Sequence, residues 1–158
     1  MNEQFLRGKT SQLQEIGTTC RKTKDIQLIQ RNFPLDRLGI FCFGNMKVSK
    51  QELLDAQYIT GGTMNAVFVL KDRKKVLKFN KPGILSESYE DVKKQLDIFR
   101  TFQENEPTIS FHIPETQIYQ SSRDPEHYAM VAEYIEGRHL KISDIYKDPD
   151  VKKQVMDM

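Results

Sequence analysis

Residues 58–79 read Tyr-Ile-Thr-Gly-Gly-Thr-Met-Asn-Ala-Val-Phe-Val-Leu-Lys-Asp-Arg-Lys-Lys-Val-Leu-Lys-Phe. A Gly-Gly pair and a charged turn divide this stretch into three runs rich in β-branched and aromatic residues, which predicts three strands joined by hairpins. Strands joined by hairpins pair antiparallel, so the segment predicts an antiparallel sheet and not a simple βαβ alternation. Lys78 stands inside the third strand, between Leu77 and Phe79. Because a buried ammonium is costly, a partner or an anionic ligand is expected to meet it.

Downstream of this segment the sequence predicts one helix and two more strands. Residues 86–105 place apolar side chains at helical spacing, with Ser86 or Ser88 as the N-cap, and these side chains are expected to pack on the sheet. The apolar positions are Val92, Leu96, Phe99 and Phe102. Residues 113–119 and 128–135 are predicted strands, and short helices are expected at 143–146 and 150–156.

Upstream, residues 12–30 predict one or two amphipathic helices, with a break near Gly17. Their apolar side chains are expected to pack on the sheet or on a partner chain: Leu13, Ile16, Ile26 and Ile29. Pro34 is expected to end this helical segment. Residues 38–48 suit a strand or an extended packing segment, and residues 49–56 a short helical turn. The pattern predicts an α+β fold, a five-stranded and mainly antiparallel sheet with one packed helix. It has a helical, basic extension at 1–50, the sheet domain at 51–140 and, at 141–158, a helical segment that is either a tail or the start of a second lobe.

Composition restricts the classes of partner. Residues 1–50 hold nine Lys and Arg against four Asp and Glu, although the whole chain has a net charge of only +2. This basic segment has few aromatic residues and no nucleic-acid-binding motif, so protein packing is the expected role and a nucleic-acid partner is not expected. No apolar run approaches the roughly 18 residues of a membrane span, and a cytoplasmic protein without a membrane partner is expected. Two cysteines and three histidines show no metal-ligand spacing, so no metal site is predicted.

Two motifs within this frame resemble the N-terminal lobe of the protein kinase and aminoglycoside/choline kinase superfamily, in the style of small bacterial effector kinases. The first is the glycine turn followed by Lys78. The resemblance places Lys78 against the α- and β-phosphates of ATP, where the family carries its strand lysine. The family's Gly-x-Gly-x-x-Gly-x-Val loop is incomplete here, with Ala66 in place of the third glycine and Phe68 in place of the valine over the base. The loop residues that the resemblance places near phosphate are Gly61, Gly62, Thr63, Asn65 and Ala66.

The second motif lies at residues 130–140, Met-Val-Ala-Glu-Tyr-Ile-Glu-Gly-Arg-His-Leu. It resembles the last strand and hinge of the same lobe. The resemblance implies that the Glu133 carbonyl and the Ile135 N–H meet the adenine edge, with Ala132 at the gatekeeper position. Two motifs at the expected separation make the resemblance more specific than either motif alone.

The family pairs its strand lysine with a glutamate on the following helix. Here Gln95 occupies that position, seventeen residues after Lys78. An amide can accept a hydrogen bond from the ammonium but cannot neutralise it. Glu90 or Glu87, one or two turns earlier, would take that role if the helix is shifted.

The resemblance implies an ATP-binding lobe of a kinase-like phosphotransferase, with Mg²⁺ bound if a second lobe is supplied. The family's catalytic loop, His-x-Asp-x-x-x-x-Asn, does not occur in these 158 residues, and no catalytic residue or metal-binding aspartate is assigned. The chain is therefore expected to be incomplete for catalysis. The alternative is a pseudokinase-type interaction module that holds a protein partner, with its N-terminal helices taking part.

Overall fold

The computed structural model describes residues 3–59, 64–81, 83, 86–105 and 114–137, and the predicted helices at 143–146 and 150–156 lie outside these ranges. Three α-helices and seven strands follow in the order α1 Glu3–Asn32, β1 Ile40–Phe43, β2 Met46–Ser49, α2 Lys50–Asp55, β3 Gln57–Ile59, β4 Asn65–Leu70, β5 Lys75–Asn80, α3 Tyr89–Asn105, β6 Thr116–Gln120 and β7 Tyr128–Glu133. The short β1 and β2 form a hairpin of their own.

The main sheet has five antiparallel strands in the order β3-β4-β5-β7-β6. This confirms the predicted α+β fold with a five-stranded antiparallel sheet. The last strand in sequence, β7, lies between β5 and β6, so that Lys78 on β5 faces Met130 on β7. On its other side Lys78 faces Val67 on β4. The strand that carries the lysine is therefore the central strand of the sheet.

The two faces of the sheet are covered by different parts of the chain. One face, which we call the core face, packs against the end of α1, the β1–β2 hairpin and α2. Its residues form one apolar cluster that includes Ile26, Ile29 and Phe33 from α1. The other face, which we call the α3 face, packs against α3 through the buried Val92. Ile26 and Ile29 therefore pack with the sheet, as predicted, whereas the side chains of Leu13 and Ile16 lie outside the described part.

Helix α1 is continuous from Glu3 to Asn32, so the predicted break near Gly17 is wrong. A glycine inside a helix lowers the stability of that helix by only about 1 kcal/mol relative to alanine. The hydrogen-bonded helical turns on either side of Gly17 offset this loss. The neighbouring Thr19 also remains compatible with the helix because its hydroxyl donates to the carbonyl of Glu15 at 2.9 Å. The helix ends at Asn32, two residues before Pro34, as predicted.

Residues 40–55 form a tight hairpin and a capped turn of helix between α1 and the sheet. The hairpin turns at Gly44, whose φ of +57° favours glycine, and a side chain there would also collide with Tyr119. Ser49 then caps α2 because its hydroxyl accepts from the Glu52 N–H at 3.1 Å while the Glu52 carboxylate accepts from the Ser49 N–H at 2.8 Å. The extended or strand segment predicted at 38–48 is thus a hairpin. Its apolar side chains Phe41, Phe43 and Val48 belong to the same core cluster as the sheet.

Helix α3 begins at Tyr89, three residues later than predicted, because Ser88 acts as its N-cap and accepts from the Asp91 N–H at 3.2 Å. Val92 is buried and Leu96 is half-buried, as the predicted packing requires. Phe99 and Phe102 are 53% and 45% exposed, so their predicted packing on the sheet is wrong. Helical spacing identifies an apolar stripe but not how far the neighbouring surface extends beneath it.

Candidate functional site

Lys78 is the polar centre of the α3 face. Its strand neighbours Leu77 and Phe79 are buried in the core, whereas Lys78 is half-buried on the opposite face. This alternation follows from the period of two in a β-strand and puts Lys78 on the same face as Val76. Among the described residues, no carboxylate forms an ion pair with Lys78. A half-buried cation in this position attracts an anion from solution.

A cavity of about 180 Å³ separates this part of the sheet from α3. Lys78, Asn65 and Met130 line it from the sheet side, and Gln95 and Phe99 line it from α3. The wall combines apolar surface with several convergent polar groups, which is typical of a small-molecule site. The structure thus brings Lys78, Asn65 and Gln95 together, three of the residues predicted from sequence.

Glu87 is the carboxylate that joins this cavity. Gln95 Nε2 donates to Glu87 Oε1 at 2.8 Å, and both residues line the cavity with Lys78. Burial raises the pKa of the nearby Tyr128 hydroxyl, and the charge of Glu87 raises that pKa further. Glu90, the other candidate partner, lines a neighbouring surface depression, which Glu87 also borders. Among the described residues neither carboxylate forms an ion pair with Lys78, and only Glu87 lines the cavity beside it.

Of the five residues predicted for the phosphate loop, only Asn65 and Ala66 belong to the described part of the chain, and they face opposite sides of the sheet. Gly61, Gly62 and Thr63 lie outside the described residues. Asn65 begins β4, faces Asn80 across the ladder, and has a buried Oδ1 with no hydrogen-bond partner in the described part of the chain. Ala66 is buried in the core on the opposite face from Lys78, so that its side chain points away from the cavity.

Phe68 does not lie over a bound base, and that prediction is wrong. Its side chain has no exposed surface and packs against Tyr58 and Phe79 in the core. Because side chains alternate along β4, the residue on the α3 face is Val67, directly across from Lys78. On β4 it is therefore Val67, and not Phe68, that shares a face with Lys78.

Beyond the cavity, the α3 face continues as an apolar strip toward the end of β7. The strip consists of residues that are all only half-buried: Val67, Val76, Met130 and Ala132. On the core face, by contrast, the corresponding residues of β4, β5 and β7 are buried. Of these four residues only Ala132 was a candidate from sequence. Val76 could have been predicted from sequence as a residue of this strip, because side chains two positions apart on a strand share a face and Val76 lies two positions before Lys78.

Glu133 and Ile135, which the resemblance assigned to a hinge, follow Ala132, the last residue of this strip. The Tyr134 N–H donates to the Lys74 carbonyl at 2.8 Å, and the Glu133 N–H donates to the Glu115 carbonyl at 2.9 Å. Successive peptide groups in an extended chain point to opposite sides, so Ile135 shares the side of Glu133 and not that of Tyr134. Strand β7 ends at Glu133, two residues earlier than predicted, and the Ile135 side chain is 48% exposed.

Other kinds of site find no support in the described ranges. No group of three or more His, Cys, Asp and Glu residues there could hold a metal ion. None of the helices within those ranges is both long and apolar enough to cross a membrane.

Lys78, the cavity and the apolar strip therefore share one face of the sheet. From Met130, the strand partner of Lys78, to Ile135 the chain advances five residues, about 17 Å at strand spacing. We compared the chain with family models, with curated proteins and with solved structures, and none of them matched it.

Proposed function

We propose that this chain is the ATP-binding lobe of a kinase-like phosphotransferase, with the nucleotide lying along the α3 face of the sheet. The observation that carries the proposal is the position of Lys78. Its ammonium lies on the central strand, beside a cavity, without an ion pair to any described carboxylate. In a kinase-like site a strand lysine in this position meets the α- and β-phosphates.

The cavity end of the α3 face suits the phosphates of a nucleotide, and the end near the last residue of β7 suits its base. At the cavity, Lys78 supplies positive charge to the phosphates, and backbone N–H groups near the start of β4 supply further donors. Toward β7, Val67, Val76 and Ala132 offer a half-buried apolar surface on which a flat base can lie. The backbone at Glu133 and Ile135 supports the proposal because it lies at the end of that apolar surface.

Mg²⁺ and phosphoryl transfer need groups beyond this face. The metal requires carboxylate or amide oxygens, and the attacking hydroxyl requires a residue that orients it. The sequence contains no recognisable motif for either group. Within the proposed function, this chain's own residues bind and orient the nucleotide, and Mg²⁺ would enter with a second lobe.

The test is isothermal titration with ATP. We expect wild type to bind ATP and Lys78→Ala to bind it much more weakly, because the substitution removes the only strand cation on the α3 face of β5. Lys75→Ala is the matched control, since Lys75 lies on the same strand but on the core side, near Arg73 and Glu115. Equal affinity of wild type and Lys78→Ala would contradict the proposal.

A second candidate function is a pseudokinase-type interaction module. The observation that favours it is the exposed apolar surface of α3, formed by Ile98, Phe99 and Phe102. Gln95 adds to this view because it is neutral and already bonded to Glu87. Absence of ATP binding at millimolar concentration, by a folded wild-type chain, would favour this function over nucleotide binding.

A further inference from the structure

Besides its apolar contacts, the N-terminal helix holds the sheet region through a buried carboxylate. Asp25, on α1, is 8% exposed and accepts hydrogen bonds from two elements of the sheet region. The hydroxyl of Tyr58, on β3, donates to its Oδ2. The ammonium of Lys81, the first residue after β5, lies 2.6 Å from the same oxygen.

These two donors stand on either side of β4: Tyr58 lies across from Phe68, and Lys81 follows Asn80, the partner of the first β4 residue, Asn65. Strand β4 lies between β3 and β5 in the sheet, so a carboxylate that holds Tyr58 and Lys81 spans the strand between them. The main chain continues this link, because the Lys81 N–H donates to the Met64 carbonyl at 2.7 Å. Met64 and its neighbour Asn65 line the cavity beside Lys78.

We propose that Asp25 is a positioning residue for the cavity beside Lys78, through which helix α1 fixes the start of β4. The inference rests on the proposed function, because it is nucleotide binding that the fixed geometry serves. The side chain of Asp25 lies on the core face and touches no part of the cavity itself. It acts by holding Tyr58 and Lys81, which in turn fix the end of the β4–β5 ladder.

The charges of the cluster explain why a carboxylate is needed. The side chain of Lys81 is 21% exposed and that of Asp25 is 11% exposed, so each charge is largely removed from water. Loss of either partner leaves the other charge buried without compensation. The strand end is then expected to separate from α1, so that the Lys81 side chain reaches water and the Lys81 N–H loses its bond to Met64.

The experiment compares Asp25→Asn with Glu15→Gln, which removes a carboxylate from an exposed position on the same helix. ATP affinity is measured by titration well below the unfolding temperature, and exchange of the Lys81 amide is measured by NMR against amides of β7. In Asp25→Asn we expect ATP affinity to fall by at least about fivefold and the Lys81 amide to exchange faster, with β7 unchanged. A residue with a merely structural role would lower the unfolding temperature but leave both readouts at wild-type values.

The outcomes separate this inference from the proposed function. Wild-type ATP affinity and wild-type Lys81 exchange in Asp25→Asn, with binding lost in Lys78→Ala, would overturn the role of Asp25 alone. If Lys78→Ala binds ATP as wild type does, the proposed function fails, and with it the role of Asp25 in nucleotide binding. Should Asp25→Asn not fold, Lys81→Met serves instead, since it removes the same ion pair from the other side and is expected to weaken ATP binding equally. Unchanged affinity in Lys81→Met would overturn the inference.

Discussion

At the scale of single residues, the alternation of side chains along a strand places neighbours in different surroundings. Phe68 is wholly buried in the core, and Val67 lies half-buried across from Lys78. Under the proposed function, the first position serves stability and the second serves binding. A substitution at each position tests whether the α3 face is the functional one.

We expect Phe68→Ala to lower the free energy of unfolding by about 3–5 kcal/mol, because it leaves a large cavity in the core. Val67→Ala should cost about 1 kcal/mol or less and should instead weaken ATP binding, because it removes surface from the apolar strip. Urea unfolding and ATP titration measure the two effects. The opposite result would contradict a base on the α3 face. That result is a loss of ATP affinity in Phe68→Ala, at a temperature where it is fully folded, together with unchanged affinity in Val67→Ala.

Tyr58 gives a prediction for alkaline pH. Burial, and then the hydrogen bond and charge of Asp25, raises the pKa of its hydroxyl above the ordinary value. In the unfolded chain the tyrosine loses its proton near pH 10, whereas in the folded chain it keeps it. The stabilisation is therefore fully present below pH 10 and decreases as the pH rises above that value.

Urea unfolding from pH 8 to pH 11 should show this decrease in wild type and a shallower one in Tyr58→Phe. Some slope should remain in Tyr58→Phe, because burial also raises the pKa of Tyr128. Lys22 acts in the opposite sense, since burial lowers the pKa of its ammonium and its unfavourable contribution is relieved as the pH rises. Identical slopes in wild type and Tyr58→Phe would mean that the Tyr58 hydroxyl does not retain its proton in the folded protein.

At the scale of elements, the local sequence pattern predicted which segments form strands better than it predicted how the helix packs on them. The three strands within residues 58–79 formed because the Gly-Gly pair and the charged turn separate runs of β-forming residues. The exposure of Phe99 and Phe102 could not be predicted, because the extent of contact between α3 and the sheet is a tertiary property. The same limit applies to Glu87, whose place in the cavity depends on the bond from Gln95.

Helix α3 supplies the corresponding prediction. Val92→Ala removes a buried side chain between α3 and the sheet and should destabilise the protein by about 1–2 kcal/mol. Phe102→Ala removes a side chain that is 45% exposed and should cost less than about 1 kcal/mol. Thermal or urea unfolding of the two variants measures the difference. A larger loss in Phe102→Ala would show that the distal half of α3 is covered in solution.

At the scale of the whole molecule, one core joins the leading segment to the sheet. The sequence divided the chain near residue 50 by composition, yet α1 and the β1–β2 hairpin share an apolar cluster with β4, β5 and β7. Charge patterning could not reveal this because three basic residues of α1, Arg21, Lys24 and Arg31, are exposed and take no part in the packing. Ile26 and Ile29 pack α1 against the sheet, but they are only two of its 30 residues and so contribute little to the composition of the segment.

The last prediction concerns chemistry. Phosphoryl transfer is accelerated by positioning and by electrostatic stabilisation of the transferring group, and both depend on metal ligands and on a residue that orients the attacking hydroxyl. The α3 face supplies a lysine and an apolar strip, which under the proposed function attract and orient a nucleotide. We therefore expect the purified 158-residue chain to bind ATP but to transfer no label from radiolabelled ATP to itself or to generic acceptors above background.

Lys78→Ala is the informative comparison in that assay. Labelling that this substitution abolishes would mean that the chain carries a catalytic group which its sequence does not reveal, and that the α3 face is a complete active site. Labelling that survives the substitution would place any transfer activity elsewhere in the molecule and would contradict the assignment of Lys78 to the phosphates. Binding without labelling is the expected result, because a lysine and backbone N–H groups attract phosphate without activating a nucleophile.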